Sequence, residues 1–316
     1  MAEDVLFCHR SAQPNFRGKT SQMKTDITKY IELDNLDLEL FICSDILKLN
    51  SLHYGYWTNG DALTLENVRK AQARYTEKLV GVIPPGVGTV LDVGCGIGDN
   101  ARALAASGYR VTALSPDKNH AKYFENGNSN QITFHNQRFE DFLSGQTFDL
   151  ILMSESQNYF DAEVGLRQVR SLLNPKGHLL VCGIFRKQET SIFKHVRNVE
   201  AEFVTRAANH SLHLQNHIDI TDHVLPTLKF ANRAHREYLE PSLSLLNYYF
   251  TQTSPLKLRL LKFFCGKELK NFREIYNYYF EFFDPALFQK HVRYLTLLFT
   301  LNETETRPCL QTSMSS

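Results

Sequence analysis

The six cysteines, Cys8, Cys43, Cys95, Cys182, Cys265 and Cys309, include no CxxC pair. The chain therefore lacks both the ligand spacing of a zinc site and the paired density of a disulfide frame, and reduced thiols in a cytoplasmic protein are expected. Charge of one sign is also missing: 35 Lys and Arg face 34 Asp and Glu, which gives no global attraction to nucleic acid or to an acidic membrane. No apolar run is long enough to cross a bilayer, and the first 24 residues lack the apolar core of a secretion signal. A further absence lies inside a glycine cluster. Gly94, Gly96 and Gly98 alternate, but Asp99 stands where the G-x-G-x-x-G fingerprint needs its third glycine, so NAD and FAD are disfavoured.

The stretch Thr89–Asn100 organises what is present. Apolar Val90, Leu91 and Val93 follow the breaker Pro84-Pro85-Gly86, and the glycines then open Ala101–Ala106, which reads as buried strand, tight turn and helix. Downstream, Arg110–Leu114 reads as a second strand, Gln131–His135 as a third and Phe148–Met153 as a buried fourth, with Ser154–Phe160 leaving its carboxyl end. A helix over Ala162–Leu173, a turn at Asn174–Gly177 and a strand at His178–Ile184 follow. Glu189–Ala208 reads as a helix, Leu212–Ile220 as a sixth strand and His291–Phe299 as the last. Upstream, Asn67–Val82 is helical in period, and apolar residues from Ile27 to Leu47 suggest two amphipathic helices. Four histidines, His210, His213, His217 and His223, invite a metal. Alternation instead puts His213, Gln215, His217 and Asp219 on one face of a strand whose other face is apolar, which reads as a half-solvated edge, so no metal is expected.

On these residues, VLDVGCGIG resembles the first motif of class I S-adenosylmethionine-dependent methyltransferases. The resemblance implies that the backbone of Gly94, Cys95, Gly96 and Gly98 approaches the methionyl part of that cofactor, with Asp92 helping to hold its amino-acid end and Asn100 close by. A Cβ at the glycines would obstruct that approach. The segment Leu52-His53-Tyr54-Gly55-Tyr56-Trp57 is similar to one that precedes the core in small-molecule members acting on sterols, quinone-like rings, fatty chains and secondary metabolites. By resemblance Tyr54, Tyr56 and Trp57 lie near the sulfonium and His53 near the pocket, where ring faces attract a cation by about 0.5–2 kcal/mol. The alternative is a packed aromatic turn that staples the amino-terminal helices to the core.

Most class I members end the second strand in an acid for the ribose. This sequence has Leu114 and Ser115 there, and Ser115 with Asp117 is the candidate in its place, a Ser-Pro start seen in relatives that modify fatty chains. The loop Asn136–Phe142 resembles the one flanking adenine, with Phe139 for stacking and Gln137 or Arg138 for the base edge; plain core packing is the other reading of Phe139. Ser154, Glu155, Gln157 and Tyr159 leave the fourth strand where the crevice of a parallel sheet lies. Leu-Asn-Pro-Lys-Gly-His before the fifth strand is a further family feature.

The implied fold is α/β: a Rossmann-like seven-stranded sheet with an amino-terminal helical cover and a helical cap inserted before the last strand. Residues 1–22 would be a flexible lead-in, 23–82 the first helices and aromatic segment, 83–227 the cofactor-binding core, 228–288 the cap, 289–301 the final strand and 302–316 a loose tail. The cap is rich in aromatics, among them Tyr248 and Tyr279, which suits an apolar guest. Leu256–Phe264 is basic and amphipathic, so a transient membrane contact is one reading and a solvated lysine face the other. The implied activity is methyl transfer to a small, mainly apolar acceptor, with no nucleic-acid partner. Glu155, His53 and His223 are the candidate bases, and Tyr56 and Tyr159 the positioning groups. Cyclopropane-forming relatives are a rival, although they place a Glu-His pair where Asn158 and Tyr159 stand, and a silent cofactor-binding scaffold is another.

Overall fold

The computed structural model describes residues 40–125, 130–264, 266, 267, 270 and 283–302. The expected lead-in, the apolar positions from Ile27 to Leu38, the tail from residue 303, and Tyr279 with its neighbours in 271–282 lie outside the described residues.

In chain order the elements are α1 (Leu65–Gly81), β1 (Thr89–Val93), α2 (Asp99–Ala106), β2 (Arg110–Ser115), β3 (Ile132–Asn136), β4 (Phe148–Ser154), α3 (Ala162–Leu172), β5 (Leu173–Arg186), α4 (Glu200–Asn209), β6 (Leu212–Asp219), α5 (Thr221–Ala234), α6 (Glu240–Thr253), α7 (Pro255–Phe264), α8 (Pro285–His291) and β7 (Val292–Leu301). The strands form one sheet in the order β3-β2-β1-β4-β5-β7-β6. Strands β1 to β5 pair in parallel, and β7 runs antiparallel to both β5 and β6. Chain order therefore reverses between β1 and β4, which opens a crevice at their carboxyl ends.

Alternation along the strands divides the core between the two faces of the sheet. Val90, Val111, Leu150, Leu152 and Leu180 join Tyr75 and Leu79 of α1, Leu104 of α2 and Val224 of α5 on one face. Leu91, Val93, Ile151, Val181 and Leu297 pack with Leu166 of α3 and Phe203 of α4 on the other. Each such side chain stabilises the fold by about 1.5–3 kcal/mol when fully buried. Local chemistry fixes the ends: Thr64 caps α1, Asp161 caps α3, and Asp284 caps α8 ahead of Pro285. Asp149 accepts hydrogen bonds from the amides of Gly88 and Thr89, tying the start of β1 to β4.

Two expectations are corrected and one is met inside a strand. The helix expected from Glu189 begins only at Glu200, because Arg186 draws Glu189 and the carbonyl of Arg197 to its guanidinium and folds 187–199 into a loop. The turn expected at Asn174–Gly177 is present as an unpaired excursion inside β5, between Leu173 and His178, with Lys176 at φ +61°. The expected apolar face of β6 is not covered: only Leu212 is buried, and Leu214 and Ile218 are exposed beside a register shift against β7.

Candidate active site beneath an aromatic strap

The glycine turn leaves β1 with φ of +73° at Gly94, +53° at Gly96 and +82° at Gly98, a region that residues with a Cβ enter only with strain. A Cβ on Gly94 would lie 2.5 Å from Cβ of Ser156, whereas over Gly96 only Leu52 stands near, at 3.6 Å. Asp92, at the end of β1, is 1% exposed, and neither of its carboxylate oxygens has a hydrogen-bond partner. Burial, helped by the charge of Asp99, pushes its carboxyl up to about 7. An unpaired buried acceptor costs about 1–3 kcal/mol and is a natural partner for a donor carried by a ligand. Cys95 in the same turn is a buried thiol raised well above its ordinary value by burial, which makes it inert.

Residues Ser51–Trp57 lie across this turn as a strap held along its length. His53 Nε2 lies 2.7 Å from Asp99 Oδ2, and Ser51 Oγ donates to the same oxygen at 2.8 Å. Gln72 Nε2 donates to the carbonyls of Ser51 and His53. The amide of Tyr54 donates to Glu155 Oε1 at 2.9 Å. Thr227 Oγ1 accepts from the amide of Gly55 at 3.1 Å and from Trp57 Nε1 at 2.8 Å. The amide of Trp57 donates to the carbonyl of His223, whose Nδ1 donates back to the carbonyl of Trp57, both at 2.9 Å. Tyr56 stacks on the His223 ring at 4.0 Å, and His53 on Tyr75 at 4.2 Å. Burial opposes the charge of His53, but the Asp99 carboxylate outweighs it and raises the imidazole; burial likewise opposes ionisation of Asp99, and His53 outweighs it, so that carboxyl is lowered. The pair lies at the amino end of α2, where the helix dipole also favours the anionic form of Asp99.

Behind the strap a chain of protonatable groups crosses the sheet. Glu155, with φ +61°, accepts at Oε1 both the Tyr54 amide and the hydroxyl of Tyr294. The Tyr294 and Tyr75 oxygens are 3.1 Å apart, and Tyr75 lies 3.0 Å from Ser154 Oγ. Cys182 Sγ is 3.1 Å from Thr296 Oγ1. Burial raises Glu155 from its ordinary carboxylate value despite the opposing pull of His53.

The structure thus brings His53, Tyr54, Asp92, Gly94, Cys95, Gly96, Gly98, Ser154 and Glu155 together, with Tyr56 and His223 stacked at the strap's far end and Trp57 packed there among Leu49, Val68 and Ala71. Asn100 is buried and accepts from Thr76 Oγ1 at 3.1 Å. Ser115 Oγ lies 2.8 Å from His120 Nδ1, and Asp117 Oδ1 caps the following turn through the amide of Asn119. Arg138 is exposed, and Phe139 is buried in the core with its ring 5.2 Å from Phe160. Gln157 is buried beneath Gly183, its Nε2 donating to the carbonyl of Ile184 while its Oε1 has no hydrogen-bond partner. Tyr159 and Tyr248 are each 63% exposed, apart from the buried cluster. His210 and His217 pair with Glu163 and Glu200, and among the described residues no group of three or more His, Cys, Asp or Glu could hold a metal. Two clefts of about 470 and 370 Å³ border the site at Asp99, the larger reaching Lys48, Arg102 and Tyr123.

Sequence reasoning missed Asp99, Tyr75, Thr227 and Tyr294. Asp99 was visible as an acid opening α2, but its partner His53 is 46 residues away. Tyr294 offered only the weak signal of a phenol within an apolar strand.

A family model described as a methyltransferase domain matches residues 65–221. A protein of Oryza sativa subsp. japonica, named as a probable chloroplastic tocopherol O-methyltransferase, is 33% identical over 120 residues; the match spans 33% of each chain, so about a third of that relative's length is covered. Among solved structures, the cyclopropane synthase MmaA2 from Mycobacterium tuberculosis aligns with TM-score 0.59 at 18% identity, covering 86% of this chain and 95% of that one. An O-methyltransferase of a Brevibacillus brevis polyketide multienzyme, solved with S-adenosyl-L-homocysteine, aligns with TM-score 0.57 at 14% identity over 81% and 86%. The [4+2]-cyclase SpnF aligns equally well, with TM-score 0.59 at 16% identity over 84% and 96%. At these identities the likeness is one of fold, and a fold shared with a cyclase does not by itself specify a reaction.

Proposed function

Because the chain belongs to the class I S-adenosylmethionine-dependent methyltransferases, we propose that it transfers the cofactor's methyl group to a small, mainly apolar acceptor above the carboxyl ends of β1 and β4. The observation that carries this reading is the buried, unpartnered Asp92 carboxylate beside a glycine turn in which Gly96 has only Leu52 near it, at 3.6 Å, under a latched aromatic strap. These residues fit the cofactor. Asp92 and the backbone of Gly94, Cys95, Gly96 and Gly98 would hold its amino-acid end, Tyr54, Tyr56 and Trp57 would flank the sulfonium, and Ser115, Asp117 and Arg138 would serve the nucleoside side, while Phe139, packed on Phe160 in the core, is not offered for stacking. When bound, the cofactor supplies an electrophilic methyl group on a sulfonium that leaves as a neutral thioether. The protein's own contribution is geometric and dielectric: the strap excludes water, ring faces favour the cation, and a fixed approach lowers the entropic barrier.

The cyclopropane-forming alternative finds less support. Asn158, at the first position of the rival's Glu-His pair, is held by the Ile184 carbonyl and by Asn198, and Tyr159 at the second points into solvent. Among the described residues no helix is long and apolar enough to cross a membrane. The test is titration calorimetry with S-adenosylhomocysteine followed by radiolabelled methyl transfer to apolar acceptors. Saturable binding with transfer supports the reading; no binding overturns it, and binding without transfer to any acceptor favours a scaffold.

A further inference from the structure

Glu155 is engaged from one side only. Its Oε1 accepts two hydrogen bonds, from the Tyr54 amide of the strap and from the hydroxyl of Tyr294 on β7, while among the described residues no hydrogen bond reaches Oε2. Two donors on one oxygen stabilise the ionised form and fix the plane of the carboxylate, leaving the second oxygen with its lone pairs available. Tyr294 is itself steadied by Tyr75, which is anchored to Ser154 on the strand that carries Glu155, so the carboxylate is gripped from three elements. Its surroundings are aromatic: Tyr54 packs 5.5 Å from Tyr294 and 6.3 Å from Phe288. Of the nearby acids, Asp99 is committed to His53 and Ser51.

We propose that Glu155 Oε2 is the proton acceptor of this site, that Tyr294 is the positioning residue that holds it, and that the acceptor substrate presents a neutral hydroxyl group on an apolar body. This rests on the methyl-transfer reading above. A hydroxyl meets Oε2 as Tyr294 already meets Oε1, by an O–H donating to the carboxylate. A neutral hydroxyl also approaches aromatic surroundings at far less desolvation cost than an ammonium. The acceptor's O–H bond breaks with the proton passing to Oε2, the pair left on oxygen forms the new bond to the methyl carbon, and the carbon–sulfur pair stays on sulfur. Positive sulfonium and negative carboxylate thus become neutral thioether and carboxylic acid, and charge balances. The raised carboxyl of Glu155, lifted by burial, brings its basicity toward neutral pH, which suits a general base.

Two measurements test this. Difference infrared spectroscopy, with Glu155→Gln as the subtraction, follows the carboxyl titration in the ligand-free protein and in its S-adenosylhomocysteine complex. Tyr294→Phe withdraws one donor from the ionised form and is expected to move the titration upward by about one pH unit, a tenfold change in proton affinity. If that variant does not fold, Tyr75→Phe is expected to move it the same way by less. An unmoved titration overturns the role of Tyr294. The second measurement is radiolabelled methyl transfer from S-adenosylmethionine to 1-naphthol, 1-aminonaphthalene and 1-vinylnaphthalene, which differ only in the reacting group. The naphthol alone is expected to react, with a rate that rises with pH to a plateau at the Glu155 titration. Glu155→Gln is expected to lower kcat by about 100-fold or more, and Tyr294→Phe to displace the pH limb upward. Preference for the amine or the alkene, or transfer to none of the three, overturns the acceptor class. If wild-type protein fails to bind S-adenosylhomocysteine, the methyl-transfer reading falls instead, and the ligand-free titration still decides Tyr294.

Discussion

Asp92 is the side chain on which stability and function pull in opposite directions. Its folded carboxyl lies at about 7 against an ordinary value of 3.8, so the folded protein holds a proton that the unfolded chain releases. Its contribution is complete below about pH 4 and is lost as pH rises to about 7, by up to about 4 kcal/mol for a shift of roughly three units. Asp92→Asn is therefore expected to melt above wild type at pH 8, with little advantage at pH 4, while binding S-adenosylhomocysteine at least about tenfold more weakly; calorimetry of both kinds checks it. The His53–Asp99 pair has the opposite dependence on each side. Asp99, held low, contributes stability that is lost as pH falls through its folded value, and His53, held high, contributes stability that is lost as pH rises through its own. Asp99→Asn leaves a buried imidazole without its counter-charge and is expected to cost about 3 kcal/mol near pH 6, read by denaturant unfolding, with the difference shrinking at alkaline pH.

The strap is the element that turns separate residues into a site. It has no regular hydrogen bonding of its own, so its conformation depends on side chains supplied by α1, α2, β4 and α5. Thr227 is the most economical of these, one hydroxyl oxygen serving two donors. Thr227→Val keeps the shape but orphans the Gly55 amide and the Trp57 indole, and is expected to cost about 2–3 kcal/mol. Hydrogen exchange should report the loss locally, with amides of 54–57 losing protection before those of the sheet. The glycine turn is less forgiving. Gly94→Ala combines a positive φ with a contact at 2.5 Å to Ser156, and is expected to destabilise by about 2–4 kcal/mol and to weaken cofactor binding.

In the molecule as a whole, the sheet and its two covering layers, α5 and α8 included, carry the core, and α6 adds no buried residue to it. That helix packs chiefly on the turn before it and on α7. The arm leaves and re-enters the body at neighbouring points, since Asn232 Nδ2 donates to the carbonyl of Phe283 at 3.4 Å. Replacing residues 236–282 by a short Gly/Ser linker is therefore expected to shift the melting temperature by no more than about 5 °C and to leave S-adenosylhomocysteine binding intact, because closing a short loop between near points costs little. Transfer to apolar acceptors is expected to fall. A melting shift beyond that range would mean the arm is part of the core.

What lay in the chain as local pattern was legible. The order of strands and helices follows from runs such as Val90–Val93 and Phe148–Met153, which bury on both faces and bear no alternative period. The glycine turn was legible as a turn because it depends on glycines close in sequence, whose positive φ needs no distant partner. The irregular 187–199 loop was not, because Arg186 overrides helical period there with hydrogen bonds that periodicity does not encode. The edge position of β6 was legible, but not that, among the described residues, only Leu212 of it is buried. The chemistry of the site belongs to the tertiary structure for the same reason. Glu155 and Tyr294 are 139 residues apart, His53 and Asp99 46, and Trp57 and Thr227 170. Local spacing encodes a strand or a turn, but only the closed sheet, with β7 inserted antiparallel beside β5, decides which carboxylate meets which hydroxyl and which is left buried and unpaired.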